Sequence, residues 1–160
     1  MMVTAQEIIE TLGLEPLAGE GGYFRQTWIA VGEKGRPAGT AIIYLVTPDS
    51  FSALHRLDAP EVFHFYKGDA CEQIVIDPAG NLTTTVLGSD ILVGEQVQSV
   101  VPADCWQGTK LVEGGEWALV GTTMAPGYLQ SGFELATVAD LRQFTIDTAA
   151  TATSYLAEGA

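Results

Sequence analysis

Between about residues 21 and 136, apolar and polar residues alternate in short runs that are separated by turn residues. About ten such runs occur, with a turn every 6–10 residues or so, which is typical of antiparallel sandwiches and barrels. The clearest hairpin joins residues 71–76 to residues 82–87 through Asp77-Pro78-Ala79-Gly80-Asn81. Strands and helices do not alternate, so a parallel α/β fold is excluded. The pattern predicts an all-β fold.

Short helices are predicted at both ends of this β region. Thr4-Ala5-Gln6-Glu7 forms a capping box ahead of Ile8 and Ile9, and Gly13 suits the end of that helix. Thr137 predicts the cap of a second helix, with Asp140 at the third position. Residues 145–160 are weakly patterned, and we expect a free tail there, with docking on a partner as the alternative.

Length and composition predict one domain over residues 1–160, with a core at about 12–144 and a tail at 145–160. The chain has 20 acidic and 7 basic residues, a net charge of −13 that repels phosphate backbones, so no nucleic-acid partner is expected. No apolar run reaches the roughly 20 residues of a spanning helix, and no membrane partner is expected. Without an export signal or a CxxC motif, Cys71 and Cys105 predict free buried thiols and a cytoplasmic location.

The segment 52–68 carries the candidate catalytic residues His55, Glu61 and His64. In a small barrel, alternate side chains of each strand converge on the lumen, and His55 and Glu61 lie on faces that can both point there. A buried imidazole beside a carboxylate is suited to proton abstraction next to a carbonyl, or serves only to pair two polar groups. His64 points away from Glu61 unless a bulge intervenes, and the alternative for it is the outer or dimer face.

Five further residues are candidate ligand contacts. Arg25 is expected to bind a carboxylate or phosphate and Tyr23 to supply a hydroxyl, unless both belong to a dimer interface. Gln107 suits hydrogen bonding to a ligand. Tyr44 and Gln73 are candidate lumen residues, which strand parity alone does not settle.

The spacing His55-x-Leu57-x3-Glu61-x6-Gly68 resembles the first motif of the cupin superfamily, His-x-His-x3/4-Glu-x6-Gly. Its second motif, Gly-x5-Pro-x-Gly-x2-His, is echoed by Gly94, Pro102 and Gln107, with two extra residues after the glycine. The strings GGYFRQT, TAIIYL, HRLDAPEVFHFYKGD, VVPADCWQGT and APGYLQSGFELA are similar to the fifth cupin subfamily of single-domain proteins over residues 12–141.

This resemblance implies a double-stranded β-helix (a jelly-roll barrel) with an open-ended pocket, commonly assembled as a homodimer. Metal-binding cupins supply His, His, Glu and His, where this chain has His55, Leu57, Glu61 and Gln107. A leucine cannot coordinate, and a carboxamide is a poor ligand beside imidazole, so no cofactor is expected beyond a weakly held divalent metal on His55, Glu61 and Gln107.

Three functions remain open on the sequence. The first is a metal-independent isomerase, epimerase or lyase acting on a sugar-like or carbonyl-bearing metabolite, since the resemblance includes sugar-epimerase cupins with a histidine base. The second is a non-catalytic module that binds a small molecule in the barrel lumen. The third is a metal-dependent cupin enzyme.

Overall fold

The chain folds into two antiparallel sheets that face one another, as seen in a computed structural model that describes residues 3–160. Eleven strands are present among these residues. They are β1 (Glu15–Pro16), β2 (Tyr23–Ala30), β3 (Gly39–Val46), β4 (Ser52–Leu57), β5 (Glu61–Gly68), β6 (Cys71–Ile76), β7 (Leu82–Leu87), β8 (Gln98–Val101), β9 (Trp106–Leu111), β10 (Ala118–Met124) and β11 (Phe133–Leu135).

One sheet has six strands in the order β1-β2-β3-β10-β5-β8, and the other has five in the order β11-β4-β9-β6-β7. Most strands that follow one another in sequence, such as β3 and β4 or β5 and β6, lie in different sheets. The chain therefore crosses repeatedly between the two layers. This is the all-β fold predicted from the spacing of the turns, in the jelly-roll form that the cupin resemblance implies.

Apolar side chains from both sheets meet between the layers. One buried cluster is built on Val46, Cys71, Leu87 and Val120. A smaller one consists of Leu57, Ala59 and Met124. Cys71 and Cys105 are free and buried, as predicted, and burial raises the pKa of the Cys71 thiol to about 12.

The N-terminal helix α1 (Ala5–Leu12) begins and ends as predicted. The Thr4 hydroxyl accepts from the Glu7 backbone N–H, while the Glu7 carboxylate accepts from the Thr4 N–H at 2.8 Å. Gly13 ends the helix in the left-handed conformation, with φ of 61°. The helix packs on the outer face of the six-stranded sheet through Ile8.

A short C-terminal helix is present as predicted, but its predicted start is wrong. Thr137 does bind Asp140 through its hydroxyl and its N–H, but the segment that follows is a single 3-10 turn, Asp140–Gln143. The second α-helix, α2 (Ile146–Thr153), begins later and is capped by Thr145. No helix among the described residues is long and apolar enough to cross a membrane.

The residues predicted to form a free tail pack instead on the outer face of the five-stranded sheet. Ala152 and Tyr155 are fully buried there, in a cluster with Leu54 and Ile74. Gly108 of β9 makes room for the Tyr155 ring, which a side chain at that position would strike. The weak sequence pattern hid this contact, because small residues such as alanine and threonine carry little hydrophobic signal.

Candidate functional site

A cavity of about 220 Å³ lies between the two sheets and is lined by residues of both. His55 and Leu57 reach it from β4, and Glu61 and Phe63 reach it from β5. The sequence prediction that His55 and Glu61 face one enclosed space thus agrees with the geometry. The volume is smaller than the roughly 300–1,000 Å³ of most ligand pockets, which limits the occupant to a small molecule.

A larger cleft of about 580 Å³ lies on the outer side of the five-stranded sheet. There Arg56 stacks on the Trp106 ring at 4.7 Å and forms an ion pair with Glu134 at 2.6 Å. These charges neutralise each other, and neither His55 nor Glu61 borders the cleft. The lumen cavity is therefore the candidate site, although it is the smaller space.

His55 is held with one ring nitrogen engaged. Its Nδ1 lies 2.7 Å from the Ala53 carbonyl oxygen, which can only accept, so Nδ1 carries the hydrogen. Its ring stacks against Phe133 with 5.3 Å between centroids, and only 2% of the residue is exposed. In the neutral imidazole the lone pair then resides on Nε2.

Glu61 lies at the start of β5 and is 7% exposed. Its carboxylate accepts a hydrogen bond from Gln107 Nε2 at 2.8 Å. Burial raises the pKa of Glu61, and the charge of Glu20 adds to this effect. His55 and the hydrogen bonds from Thr122 and Gln107 act in the opposite direction.

Gln107 lies on β9 directly across from His55 on β4. Its Nε2 donates to Glu61, while its Oε1 is buried without a hydrogen-bond partner among the described residues. Gln107 therefore orients the carboxylate and leaves one acceptor unused. Trp106, the preceding residue, packs in the cluster on the opposite side of the sheet, as strand alternation predicted.

Glu20 is a cavity residue that the sequence analysis missed. Its Oε1 accepts from Ser52 Oγ at 2.7 Å and lies 3.9 Å from His55 Nδ1. It lies in the loop before β2, where there is no strand alternation to indicate which way its side chain points. The signal available in the sequence was the Gly21-Gly22 pair that follows Glu20. Gly22 has φ of +70°, and a side chain there would overlap the Tyr44 ring, so the glycines mark a loop that packs closely against Tyr44.

Tyr44 borders the cavity, in agreement with its selection from the sequence. Its hydroxyl donates to the Gly21 carbonyl at 2.7 Å, and burial raises its pKa well above the usual range. Tyr128, which the sequence analysis did not select, also borders the cavity. Burial raises the pKa of Tyr128, with contributions from the charges of Glu20 and Glu61.

His64 lies on the outer face of the six-stranded sheet and does not border the cavity. Its Nε2 is 3.1 Å from Thr123 Oγ1, its Nδ1 is 3.2 Å from Gln98 Nε2, and its ring stacks on Tyr66. A bulge in this strand pair falls beyond His64, between Leu119 and its neighbour, and does not turn the imidazole inward. The outer face, the alternative for His64 in the sequence analysis, is where the imidazole lies.

Tyr23 and Arg25 do not face the lumen. Arg25 donates through Nε to the Leu12 carbonyl oxygen at 2.8 Å, at the C-terminal end of α1. Tyr23 packs in the same outer cluster as that helix. The inward residues of β2 are Phe24 and Gln26, so the expected anion contact from this strand is absent from the cavity.

Gln73 points inward from β6 but is separate from the cavity. Its Nε2 donates to Thr109 Oγ1 at 3.2 Å, and its Oε1 accepts from Ser99 Oγ at 2.6 Å. With both ends of the amide engaged, Gln73 links the two sheets beneath the cavity rather than presenting a free group to it.

The side chains at the metal-ligand positions of cupins supply an incomplete donor set. His55 and Glu61 offer one imidazole and one carboxylate, Leu57 offers no donor, and Gln107 turns its NH₂ group toward Glu61. No group of three or more His, Cys, Asp or Glu in residues 3–160 is arranged to hold a metal ion. This donor set does not fit a tightly bound transition metal.

Comparison with known proteins gives one family match and several structural ones. The family described as "Cupin superfamily (DUF985)" matches residues 6–136. The sequence matches no curated protein. A protein from Shewanella oneidensis has a similar structure, with a TM-score of 0.90 and 30% identity over 98% of this chain and 99% of its own.

A hypothetical protein from Leishmania major is also similar, with a TM-score of 0.88 and 29% identity over 98% of this chain and all of its own. Oxalate decarboxylase from Bacillus subtilis gives a TM-score of 0.57 and 14% identity, over 90% of this chain and 35% of its own. At that identity the last similarity shows the fold alone.

Proposed function

Because the chain belongs to the cupin superfamily, in the family described as DUF985, we propose that its barrel binds a small metabolite and transfers a proton on it. The substrate class is a sugar-like or carbonyl-bearing compound, and the reaction is an isomerisation, an epimerisation or a lyase step. The observation that supports this proposal is the placement of His55 and Glu61 on one small, largely apolar cavity.

His55 is the proposed base. The hydrogen bond from Nδ1 to the Ala53 carbonyl fixes the tautomer, which leaves the Nε2 lone pair to accept a proton. The flanking Phe133 ring restricts the imidazole to one orientation. A base held in this way needs little reorganisation when a carbon acid is bound against it.

Glu61 is the proposed partner acid. Burial raises the pKa of Glu61, which makes its carboxyl group hold a proton more readily than an exposed one. The Gln107 amide donates to it and keeps the carboxylate in place. Two groups that differ in proton affinity and share a cavity provide the acid and the base that an isomerisation or epimerisation requires.

Solvent deuterium exchange tests this proposal across many candidate substrates at once. The protein is incubated with a library of carbonyl metabolites and sugars in D₂O, and mass spectrometry records deuterium at carbon. We expect incorporation into at least one compound, and we expect His55→Asn to reduce its rate by roughly 100-fold or more, the usual contribution of a general base.

His64→Asn is the matched control, because it removes the same group from the outer face of the barrel. We expect this variant to retain the exchange rate. Undiminished exchange in His55→Asn would contradict the proposal. The second candidate function is a non-catalytic barrel that only binds a ligand, and the aromatic wall around Phe24 and Phe63 supports it. A compound that raises the melting temperature but incorporates no deuterium would favour this second function.

We further propose that the cavity holds no tightly bound transition metal, and that a divalent ion, where present, is weakly held by His55, Glu61 and Gln107. Leu57 is the reason, because it occupies the position of the second imidazole. Elemental analysis of protein purified without a chelator or an affinity metal is expected to give well below one equivalent. Stoichiometric iron, nickel or zinc would favour the metal-dependent alternative.

A homodimer is proposed from the outer face of the six-stranded sheet. Three exposed apolar or aromatic side chains, Trp28, Tyr66 and Val100, lie on that face. A second copy related by a two-fold axis would cover this patch with the same patch. Light scattering is expected to give twice the chain mass of 17.0 kDa, and a monomer mass would contradict the proposal.

A further inference from the structure

Two carboxylates border the lumen, beside the neutral polar side chains of Gln26, Thr40, Thr122 and Gln130. Glu20 and Glu61 each present a carboxylate to the cavity. His55 Nδ1 donates to the Ala53 carbonyl oxygen. A ligand would therefore meet unused acceptors on this side of the cavity.

The tyrosine hydroxyl hydrogens are also engaged elsewhere. Tyr44 donates to the Gly21 carbonyl at 2.7 Å, and Tyr128 donates to Gln130 Oε1 at 2.9 Å. These two rings therefore contribute surface to the cavity without offering a proton to a bound molecule. The ligand that matches such a lining is one that supplies the donors itself.

Within residues 3–160, no lysine or arginine borders the cavity. Arg25 is bonded to the end of α1, and Arg56 is paired with Glu134 on the outer side of the barrel. An anionic ligand would meet two carboxylates and no lysine or arginine to offset them, which opposes its binding in a buried site.

The remaining wall is aromatic. Phe24, Phe63 and Phe133 border the same cavity as Tyr44 and Tyr128. Aromatic rings and carboxylates together are the usual surroundings of a bound organic cation, since the rings attract the charge and also bury the carbon skeleton. Neither feature alone specifies a cation, but here both line one space of about 220 Å³.

From these observations we propose that the lumen binds a small organic amine in its ammonium form. The ammonium group lies between the carboxylates of Glu20 and Glu61, and the carbon skeleton lies against the phenylalanine rings. This inference rests on the proposed function only in taking the lumen as the binding site, and it narrows the substrate class to metabolites that carry an amino group.

Three compounds of one shape test the charge preference: benzylammonium, benzyl alcohol and benzoate. Isothermal titration calorimetry is performed on the full chain after chelator treatment, so that a bound metal cannot account for the result. We expect benzylammonium to bind at least roughly tenfold more tightly than benzyl alcohol, because a cation is paired with buried carboxylates. We expect no measurable heat from benzoate.

Glu20→Gln tests the contact itself. The amide retains an oxygen to accept from Ser52 but loses the charge. We expect the affinity for benzylammonium to fall roughly tenfold or more, with the affinity for benzyl alcohol changed less than about threefold. Glu113→Gln makes the same charge change at an exposed turn and is expected to leave both affinities unchanged.

Equal affinity for the amine and the alcohol, tighter binding of benzoate, or no amine binding at millimolar concentration would each overturn the inference. So would an equal loss of amine affinity in Glu20→Gln and Glu113→Gln. The deuterium exchange assay is read independently of these titrations. Failure of the cation site and failure of proton transfer are therefore distinguishable.

Discussion

The two histidines of the chain are nine residues apart in sequence and lie on opposite sides of the barrel wall. His55 faces inward, with its ring against Phe133 and Glu20 Oε1 3.9 Å from its Nδ1. His64 faces outward, between Thr123 and Gln98. The residue type is the same, but only the inner imidazole has carboxylates around it.

This difference shows that strand parity and the surrounding groups, rather than residue type, give a histidine its chemistry. His64 Nδ1 accepts from the Gln98 amide and its Nε2 lies against the Thr123 hydroxyl, so its hydrogen-bond partners are both neutral groups. At His55 the Ala53 carbonyl selects a tautomer, and the buried charge of Glu61 lies on the same cavity. Of the two histidines, only the inner one therefore has the surroundings that the proposed proton transfer requires.

Leu57→His is the variant from which we expect the largest effect on the comparison between the inner and the outer histidine. It adds a second imidazole to the inner wall, two residues from His55 on the same face of β4, and so supplies the donor missing from the cupin ligand set. We expect the affinity for Zn²⁺ or Ni²⁺ to rise by roughly 100-fold over the unmodified chain, since a third strong ligand completes a chelating site. Calorimetric titration of chelator-treated protein measures the change.

Gln98→His is the matched variant on the outer side, because it places an imidazole next to His64 without a carboxylate. We expect it to gain less affinity than Leu57→His. Unmodified protein that already binds the metal as tightly as Leu57→His would show that leucine is not the limiting residue.

Glu61→Gln is expected to change the pH dependence of stability. Burial raises the pKa of Glu61 above its ordinary 4.5 in the folded chain, so the unfolded chain loses this proton at a lower pH. The resulting contribution to stability is complete below the ordinary pKa and is lost as the pH rises through the folded value. The variant has no proton to lose and should be more stable than the parent at neutral pH.

Melting temperatures recorded from acid to neutral pH measure this difference. The advantage of Glu61→Gln should shrink as the pH falls toward the ordinary pKa of the carboxyl. Glu113→Gln, at an exposed turn, should show no such trend. A variant less stable than the parent at neutral pH would mean that hydrogen bonds from Gln107 and Thr122 outweigh the cost of burying the charge.

The part of the site that lies on regular strands was predictable from the sequence. His55, Leu57, Glu61 and Phe63 follow strict alternation, so their common direction could be inferred from parity. The same rule placed His64 on the other face. The sequence left open only whether a bulge turns the His64 side chain inward. The bulge in this strand pair lies beyond His64, so the side chain stays on the outer face.

The parts that could not be predicted lie where periodicity gives no direction. Glu20 is in a loop, and its approach to His55 depends on how the chain returns to the barrel mouth. Parity grouped Tyr23 with Arg25 correctly, but it could not tell which face of β2 is the inner one. The burial of Tyr155 depends on a contact with Gly108, 47 residues away, that no local pattern reports.

His64→Ala has the smallest expected effect. The side chain is partly buried and makes two hydrogen bonds to neutral groups at the surface of the sheet. We expect the free energy of unfolding to fall by no more than about 1 kcal/mol, the net value of one ordinary hydrogen bond, because water can replace the lost partner. Urea unfolding measures it, with His55→Ala as the comparison, where truncation inside the barrel should cost about 2 kcal/mol or more. A cost at His64 equal to or above that at His55 would contradict this expectation, because it would show that the outer imidazole contributes as much to stability as the enclosed one.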